Sequence, residues 1–182
     1  MGKQKLPISK KECADIEREL EKLKGTKHER IFKAYLLFRY TGCHVSVITD
    51  KKYELREEMQ EGYLRVIWNR PKKKGDDAYT RIKKHRKIYF NVGEFAKQMQ
   101  NAKGRNTRLY FYRKIEKYSR DAGVSGVSPN TFRHTLAVEL LDEGWSEIEV
   151  AQLLNCTVKT LREWYGKKQQ KDLDKKLEKL GW

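Results

Sequence analysis

Apolar side chains recur at Cys13, Ile16, Leu20 and Leu23, at intervals of three, four and three, which is one face of a helix. Ser9-Lys10-Lys11-Glu12 has the spacing of a capping box at its start, and Gly25 supplies a stop. A second helix is expected from about His28 to Thr41, carrying Ile31, Ala34, Tyr35, Leu37 and Phe38 and halting at Gly42. A shorter helical piece follows at Val45-Ser46-Val47-Ile48. The pattern then changes. Tyr63-Leu64-Arg65-Val66-Ile67-Trp68 is rich in β-formers, Pro71 and Gly75-Asp76-Asp77 break the chain, and Lys87-Ile88-Tyr89-Phe90 resumes the strand pattern. This predicts a hairpin, with room for a third short strand.

Helical spacing returns from Val92 to Gln100 and from Arg108 to Asp121, the latter with Tyr112, Ile115 and Ser119 on one face and Gly123 as its stop. Pro129-Asn130 opens a further helix through Leu136, Ala137, Leu140 and Leu141, ending at Gly144. Ser146 caps the next, with Ile148, Val150, Ala151, Leu153 and Leu154. A turn at Asn155-Cys156 leads to a helix from Thr157 to about Tyr165. After Gly166 the chain is Lys-rich, with Leu173, Leu177 and Leu180 at helical spacing. The fold class is therefore mainly α with a small antiparallel β-sheet.

Charge sharpens the picture. The 182 residues hold 41 Lys+Arg against 25 Asp+Glu, a net charge of +16. Such a balance asks for a polyanion, and nucleic acid is the usual one. Residues 70–87 alone hold nine basic and two acidic residues. That stretch is either a solvated loop or a basic finger on nucleic acid, contacting it through Arg70, Lys73, Lys74, Lys83, Lys84 and Arg86. No apolar run reaches the ~18 residues of a spanning helix, so no membrane is expected. Nothing apolar follows Lys3 and Lys5 as in a secretory leader. The three cysteines (Cys13, Cys43 and Cys156) are far apart, odd in number and without a CxxC, which argues against a disulfide framework and a zinc site. The expected setting is a reducing cytoplasm.

Residues 123–165 carry the most information: Gly123-Val124, Ser128-Pro129-Asn130-Thr131-Phe132-Arg133-His134-Thr135-Leu136-Ala137, Leu140-Leu141, Gly144, Val150-Ala151-Gln152-Leu153-Leu154 and Trp164-Tyr165. This block resembles the C-terminal motifs of the tyrosine recombinases, the phage integrase and Xer-type family. The family pattern is Pro before His-x-x-Arg-His-Thr, an apolar helix ending in Gly, Leu-Leu-Gly-His, and a Tyr nine residues later. Upstream, Leu37-Phe38-Arg39-Tyr40-Thr41-Gly42-Cys43-His44-Val45-Ser46 resembles the family's apolar helix followed by Thr-Gly-x-Arg. The match runs from about Leu6 to Tyr165. It implies one integrase-like catalytic, DNA-binding domain over 1–165 without the N-terminal core-binding domain of most members, and a helix or tail over 166–182.

The resemblance implies a chemistry. A tyrosine phenol attacks a DNA phosphodiester in line, forming a 3′-phosphotyrosyl link and freeing a 5′-hydroxyl. A phenol of pKa ~10 needs a neighbour to take its proton. Two arginine forks stabilise the pentavalent phosphate, and a hairpin lysine protonates the leaving oxygen. Neither metal nor other cofactor is implied. By position Tyr165 matches the nucleophile and Arg133 the second arginine. Arg133 also sits near the N-terminal, positive end of its helix, an awkward place for a cation that suits a phosphate ligand. Lys72 is the candidate hairpin lysine, with Lys73, Lys74, Lys83 and Lys84 as rivals. His134 follows Arg133 as in many members and supports rather than catalyses; Lys159 lies on the helix leading to Tyr165 and is a candidate DNA contact.

Three positions depart from the pattern. His44 stands where the first arginine belongs, Asn130 where a histidine or lysine belongs, and Cys156 where a histidine or tryptophan belongs. An imidazole is only about one quarter charged at pH 7 and lacks the five-donor fork. Losing one such donor typically slows a reaction ~10²–10³-fold. Arg39, read as five residues earlier on the same helix, would lie about 140° around the axis and could not replace it. The resemblance thus implies slow or degenerate cleavage. Ser146 to Trp164 also resembles a helix-turn-helix, with Ala151, the turn at Asn155-Cys156, and Val158 and Leu161 in a second helix. That alternative is a transcription regulator without catalysis. Partners follow from the first reading: double-stranded DNA, and a homo-oligomer formed on DNA through the C-terminal helix. The location would be the nucleoid, or a viral or plasmid replicon.

Overall fold

A computed structural model describes residues 7–60, 63–68, 78–83, 87–102 and 108–163. Helix α1 (Lys10–Glu21) starts where the capping box places it. The Ser9 hydroxyl accepts from the Glu12 N–H at 3.2 Å, and the Glu12 carboxylate accepts from the Ser9 N–H at 2.7 Å. Cys13, Ile16 and Leu20 are its buried face. Helix α2 (Glu29–Thr41) buries Ile31, Phe32, Ala34, Tyr35, Leu36, Leu37 and Phe38, so it is apolar on nearly every side. A helix of that kind belongs at the centre. It packs against α1, against helices α5 (Arg108–Asp121) and α6 (Pro129–Asp142), and against the last strand. Gly42 ends it in the left-handed conformation, with φ +64°, and α3 (Val45–Thr49) leaves in a new direction.

Three strands, β1 (Leu55–Gln60), β2 (Tyr63–Trp68) and β3 (Ala78–Lys83), form an antiparallel meander in the order β1-β2-β3. The register pairs Leu55 with Trp68 and Val66 with Thr80. The central strand buries Leu64, Val66, Ile67 and Trp68. Lys87–Phe90, expected as a partner strand, does not form one. Those residues are an aromatic strap instead: the Tyr89 and Phe90 rings meet Phe32 at 6.2 Å and Phe95 at 5.2 Å, respectively. Packing of rings onto α2 and α4 (Val92–Asn101) takes the place of a hydrogen-bonded ladder.

Helix α5 begins and ends as expected, but its buried face is Phe111, Ile115 and Ser119, with Tyr112 only half-buried. Helix α6 starts at Pro129 behind the Ser128 cap, whose N–H donates to the Thr131 hydroxyl at 3.0 Å. Helix α7 (Glu147–Leu154) has its own capping box from Ser146 to Glu149. Residues 158–163 are helical again. The main core spans α1 to α6 and the sheet; a smaller one joins Ala137, Val150, Ala151, Leu154 and Leu161. The molecule is mainly helical with a small antiparallel sheet. Among the described residues, no helix is long and apolar enough to cross a membrane.

Candidate functional site

The end of α2 is shaped by local chemistry. The Thr41 hydroxyl donates to the Leu37 carbonyl at 2.7 Å and accepts from the Cys43 N–H at 3.1 Å. Gly42 turns the chain at positive φ, which a residue with a Cβ adopts only at a cost. A Cβ there would also lie 2.5 Å from Leu154 Cδ2 and 3.3 Å from Leu136 Cδ2. Glycine is needed twice over: for the turn, and to let α6 and α7 approach.

Arg133 fills that junction. Its side chain is buried, with 2% of the residue exposed, in the second turn of α6. One terminal nitrogen, Nη1, donates to the Gly42 carbonyl at 2.6 Å, and the other, Nη2, donates to the Leu154 carbonyl. Those carbonyls belong to the ends of α2 and α7, where helices leave acceptors unpaired and carry partial negative charge. The cation that looked misplaced at the start of its own helix therefore rests on the negative ends of two others. Asn155 closes α7 in the left-handed conformation, with φ +50°, and its N–H donates to the Gln152 carbonyl.

One guanidinium thus ties three sequence-distant segments together: Thr41-Gly42-Cys43-His44, the start of α6, and Leu154-Asn155-Cys156. His44 is the exposed N-cap residue of α3, two positions from the carbonyl Arg133 holds. Asn130 is half-buried at the second position of α6, and Cys156 is half-buried two residues beyond the second carbonyl. His134 is half-buried; burial, and secondarily the neighbouring Arg133 charge, pushes its pKa down to about 4. It is neutral at pH 7. Lys159 is exposed on the helical segment 158–163. Cys43 is fully enclosed, and burial pushes its thiol up to about 11, so it is no nucleophile at neutral pH.

Tyr165, Lys72, Arg70, Lys73, Lys74, Lys84 and Arg86 lie outside the described residues, as does the tail 166–182. Of Lys83 only the backbone is described, at the end of β3. That strand runs beside α2 and α7, the two helices whose ends Arg133 joins. The connection bearing Lys72 leads directly into it. Among the described residues no group of three His, Cys, Asp or Glu side chains could hold a metal ion.

Sequence reasoning missed two features of this region. One is the closeness of Gly42 to Leu154, which only the fold creates. The other is Arg39. It does not share a helix with His44, because α2 ends before Gly42, and its guanidinium is bonded to Glu139 of α6 at 2.8 Å. It is occupied in packing α2 on α6. A basic residue four places before an apolar-polar boundary is a weak signal for such a pair, and nothing in the sequence points to Glu139 as its partner.

No protein-family sequence model matches the chain, and no characterised protein matches it in sequence. Solved structures do match it in shape. The XerH site-specific recombinase bound to its palindromic difH substrate, in a post-cleavage complex, superposes with a TM-score of 0.66 at 16% identity, over 93% of this chain and 52% of that one. The XerA recombinase gives 0.61 at 17% identity, over 90% and 60%. The Tn1549 transposon integrase in complex with transposon right end DNA gives 0.56 at 17% identity, over 90% and 62%. The chain spans between about half and three fifths of the length of these proteins. The likeness establishes the fold, that of a tyrosine recombinase catalytic domain.

Proposed function

We propose that this chain binds duplex DNA and cleaves and rejoins it through a phosphotyrosyl intermediate on Tyr165. The observation that supports the reading most is the Arg133 junction. The segments that carry His44 and Cys156 abut a single guanidinium through the carbonyls of Gly42 and Leu154. Sequence motifs 91 positions before and 21 positions after Arg133 are thereby gathered at one place, beside the strand that follows the Lys72 connection.

In this reading the phenolic oxygen of Tyr165 attacks phosphorus, its proton passing to a neighbouring base or water. The bond from phosphorus to the 5′-oxygen breaks, and Lys72 gives that oxygen a proton. The exposed His44 faces the phosphate oxygens as charge builds on them, and the buried Arg133 guanidinium, held by the Gly42 and Leu154 carbonyls, adds its positive charge to the site. The phosphate ester is exchanged rather than hydrolysed, so a 5′-hydroxyl reverses the step without an energy source. His44 in place of an arginine makes the reaction slow. Leu173, Leu177 and Leu180 give the tail an apolar stripe for a second copy on the same DNA. Such a substrate places the protein with a nucleoid, or with viral or plasmid DNA, in the cytoplasm.

The test is a suicide duplex nicked near the scissile phosphate, so that cleavage releases a short strand and the adduct accumulates. A covalent complex abolished in Tyr165→Phe is the expected result. Bound DNA with no adduct under any condition overturns cleavage. It leaves the regulator reading if, in addition, substitutions across residues 157–163 change sequence preference.

A further inference from the structure

The charge of the chain is unevenly placed. Residues 128–163, which build the Arg133 junction, hold three basic and six acidic residues, a net charge of −3. Residues 22–33 hold five basic and one acidic, and residues 108–121 five basic and two acidic. Those two segments adjoin: the Arg30 guanidinium donates through Nε and Nη2 to the Tyr110 hydroxyl, at 3.3 and 3.2 Å. They form a positive face at the opposite end of α2 from Gly42. About twelve residues of helix separate Arg30 from Gly42, about 18 Å along the axis.

The aromatic rings of this face are already covered by cations. Lys24 Nζ lies 4.7 Å from the Tyr89 ring centre and Lys33 Nζ 5.8 Å; Arg30 lies 5.0 Å from that of Tyr110, and Lys114 Nζ 5.9 Å. Single-stranded nucleic acid is held largely by bases stacking on aromatic faces. Here cations lie over the rings, with Tyr89 still 44% exposed, and what the surface mainly presents is positive charge held beside them. Lys24 and Lys27 are exposed on the turn between α1 and α2. Acidic residues border the face: Glu29 accepts from the Tyr89 hydroxyl at 2.8 Å and pairs with Lys33 at 3.5 Å, Glu19 pairs with Lys22, Asp121 pairs with Lys117, and Glu21 lies near Tyr89, which leaves Lys24, Lys27, Arg30 and Lys114 as the cations that the face offers. A row of phosphates is the matching surface.

We infer that the face formed by the α1–α2 turn and α5 is a second duplex-DNA surface, separate from the one at the Arg133 junction, so that one molecule holds two duplex segments. The inference concerns binding alone and does not require cleavage, although it rests on the reading that a first duplex lies at the junction.

The experiment mixes the full chain with two 30-base-pair duplexes carrying different dyes and follows both dyes and protein by analytical ultracentrifugation. The expected wild-type particle holds one protein and both dyes. In Lys24→Gln/Lys27→Gln/Lys114→Gln the particle should hold one dye, with affinity for that duplex within about twofold of wild type. The salt slope of second-duplex binding should fall by about 2–3, roughly 0.9 for each phosphate that a lysine no longer neutralises. A wild-type particle with one duplex only overturns the inference. So does a two-dye particle that always contains two proteins, equal weakening of the first duplex in the variant, or displacement of the second duplex by oligo-dT at lower concentration than by duplex. Replacing Lys72, Lys73 and Lys74 by Gln tests the first site separately. It should weaken one duplex and leave the other bound, so failure of the junction reading and failure of this one give different particles.

Discussion

At the scale of single residues, the proposed reaction makes His44 the position to test for rate. It caps α3 without using its side chain for the cap and is exposed beside the junction. His44→Arg is expected to raise the rate of adduct formation on the suicide duplex by ~10²–10³, the usual worth of one preorganised donor to a developing oxyanion. A rate unchanged or lowered would remove His44 from the reaction. Gly42 decides stability. Gly42→Ala must place a side chain at positive φ and against Leu154, and is expected to lower unfolding free energy by about 1–3 kcal/mol in urea denaturation. Thr41-Gly42 was legible in the sequence as a helix stop. Its role as the floor under Arg133 was not, because the two residues stand 91 positions apart. Sequence also showed Arg133 as a cation near a positive helix end. Only the fold supplies the two carbonyls that resolve that conflict.

At the scale of elements, caps and stripes were readable because they are local. Ser9 with Glu12 and Ser146 with Glu149 set their helix starts over a few neighbouring positions, and the α5 limits needed only its own periodicity. Strand β1 was not readable. Its Arg56, Glu57 and Glu58 hide the alternation, and it exists through its ladder to β2. Helix pairing was equally hidden. Arg39 and Glu139 join α2 to α6 with side chains only 11% and 15% exposed. Glu139→Gln leaves the Arg39 cation without its counter-charge. The expected loss is about 3 kcal/mol of stability, the low end for a buried pair because both partners keep some solvent contact. Calorimetry on the single variant and on Arg39→Met/Glu139→Leu checks this: the double variant should recover most of the loss.

At the scale of the whole molecule, a net charge of +16 works against compactness as well as for the proposed binding of DNA. Raising salt from about 20 to about 200 mM should increase the melting temperature of the free protein, since screening relieves self-repulsion over a Debye length that shrinks to below ~10 Å. A fall in Tm would mean that the surface ion pairs outweigh the repulsion. The chain is also closed on itself near its start. The Thr135 hydroxyl donates to the Thr131 carbonyl at 2.9 Å and accepts the Ile8 N–H at 3.1 Å. Thr135 is two residues from Arg133 on α6. Tension applied ahead of Ile8, by a tethered bead or a pulling cargo, would therefore load the rod that carries the guanidinium before it peels away α1, and mechanical force would reach the heart of the molecule by its shortest route.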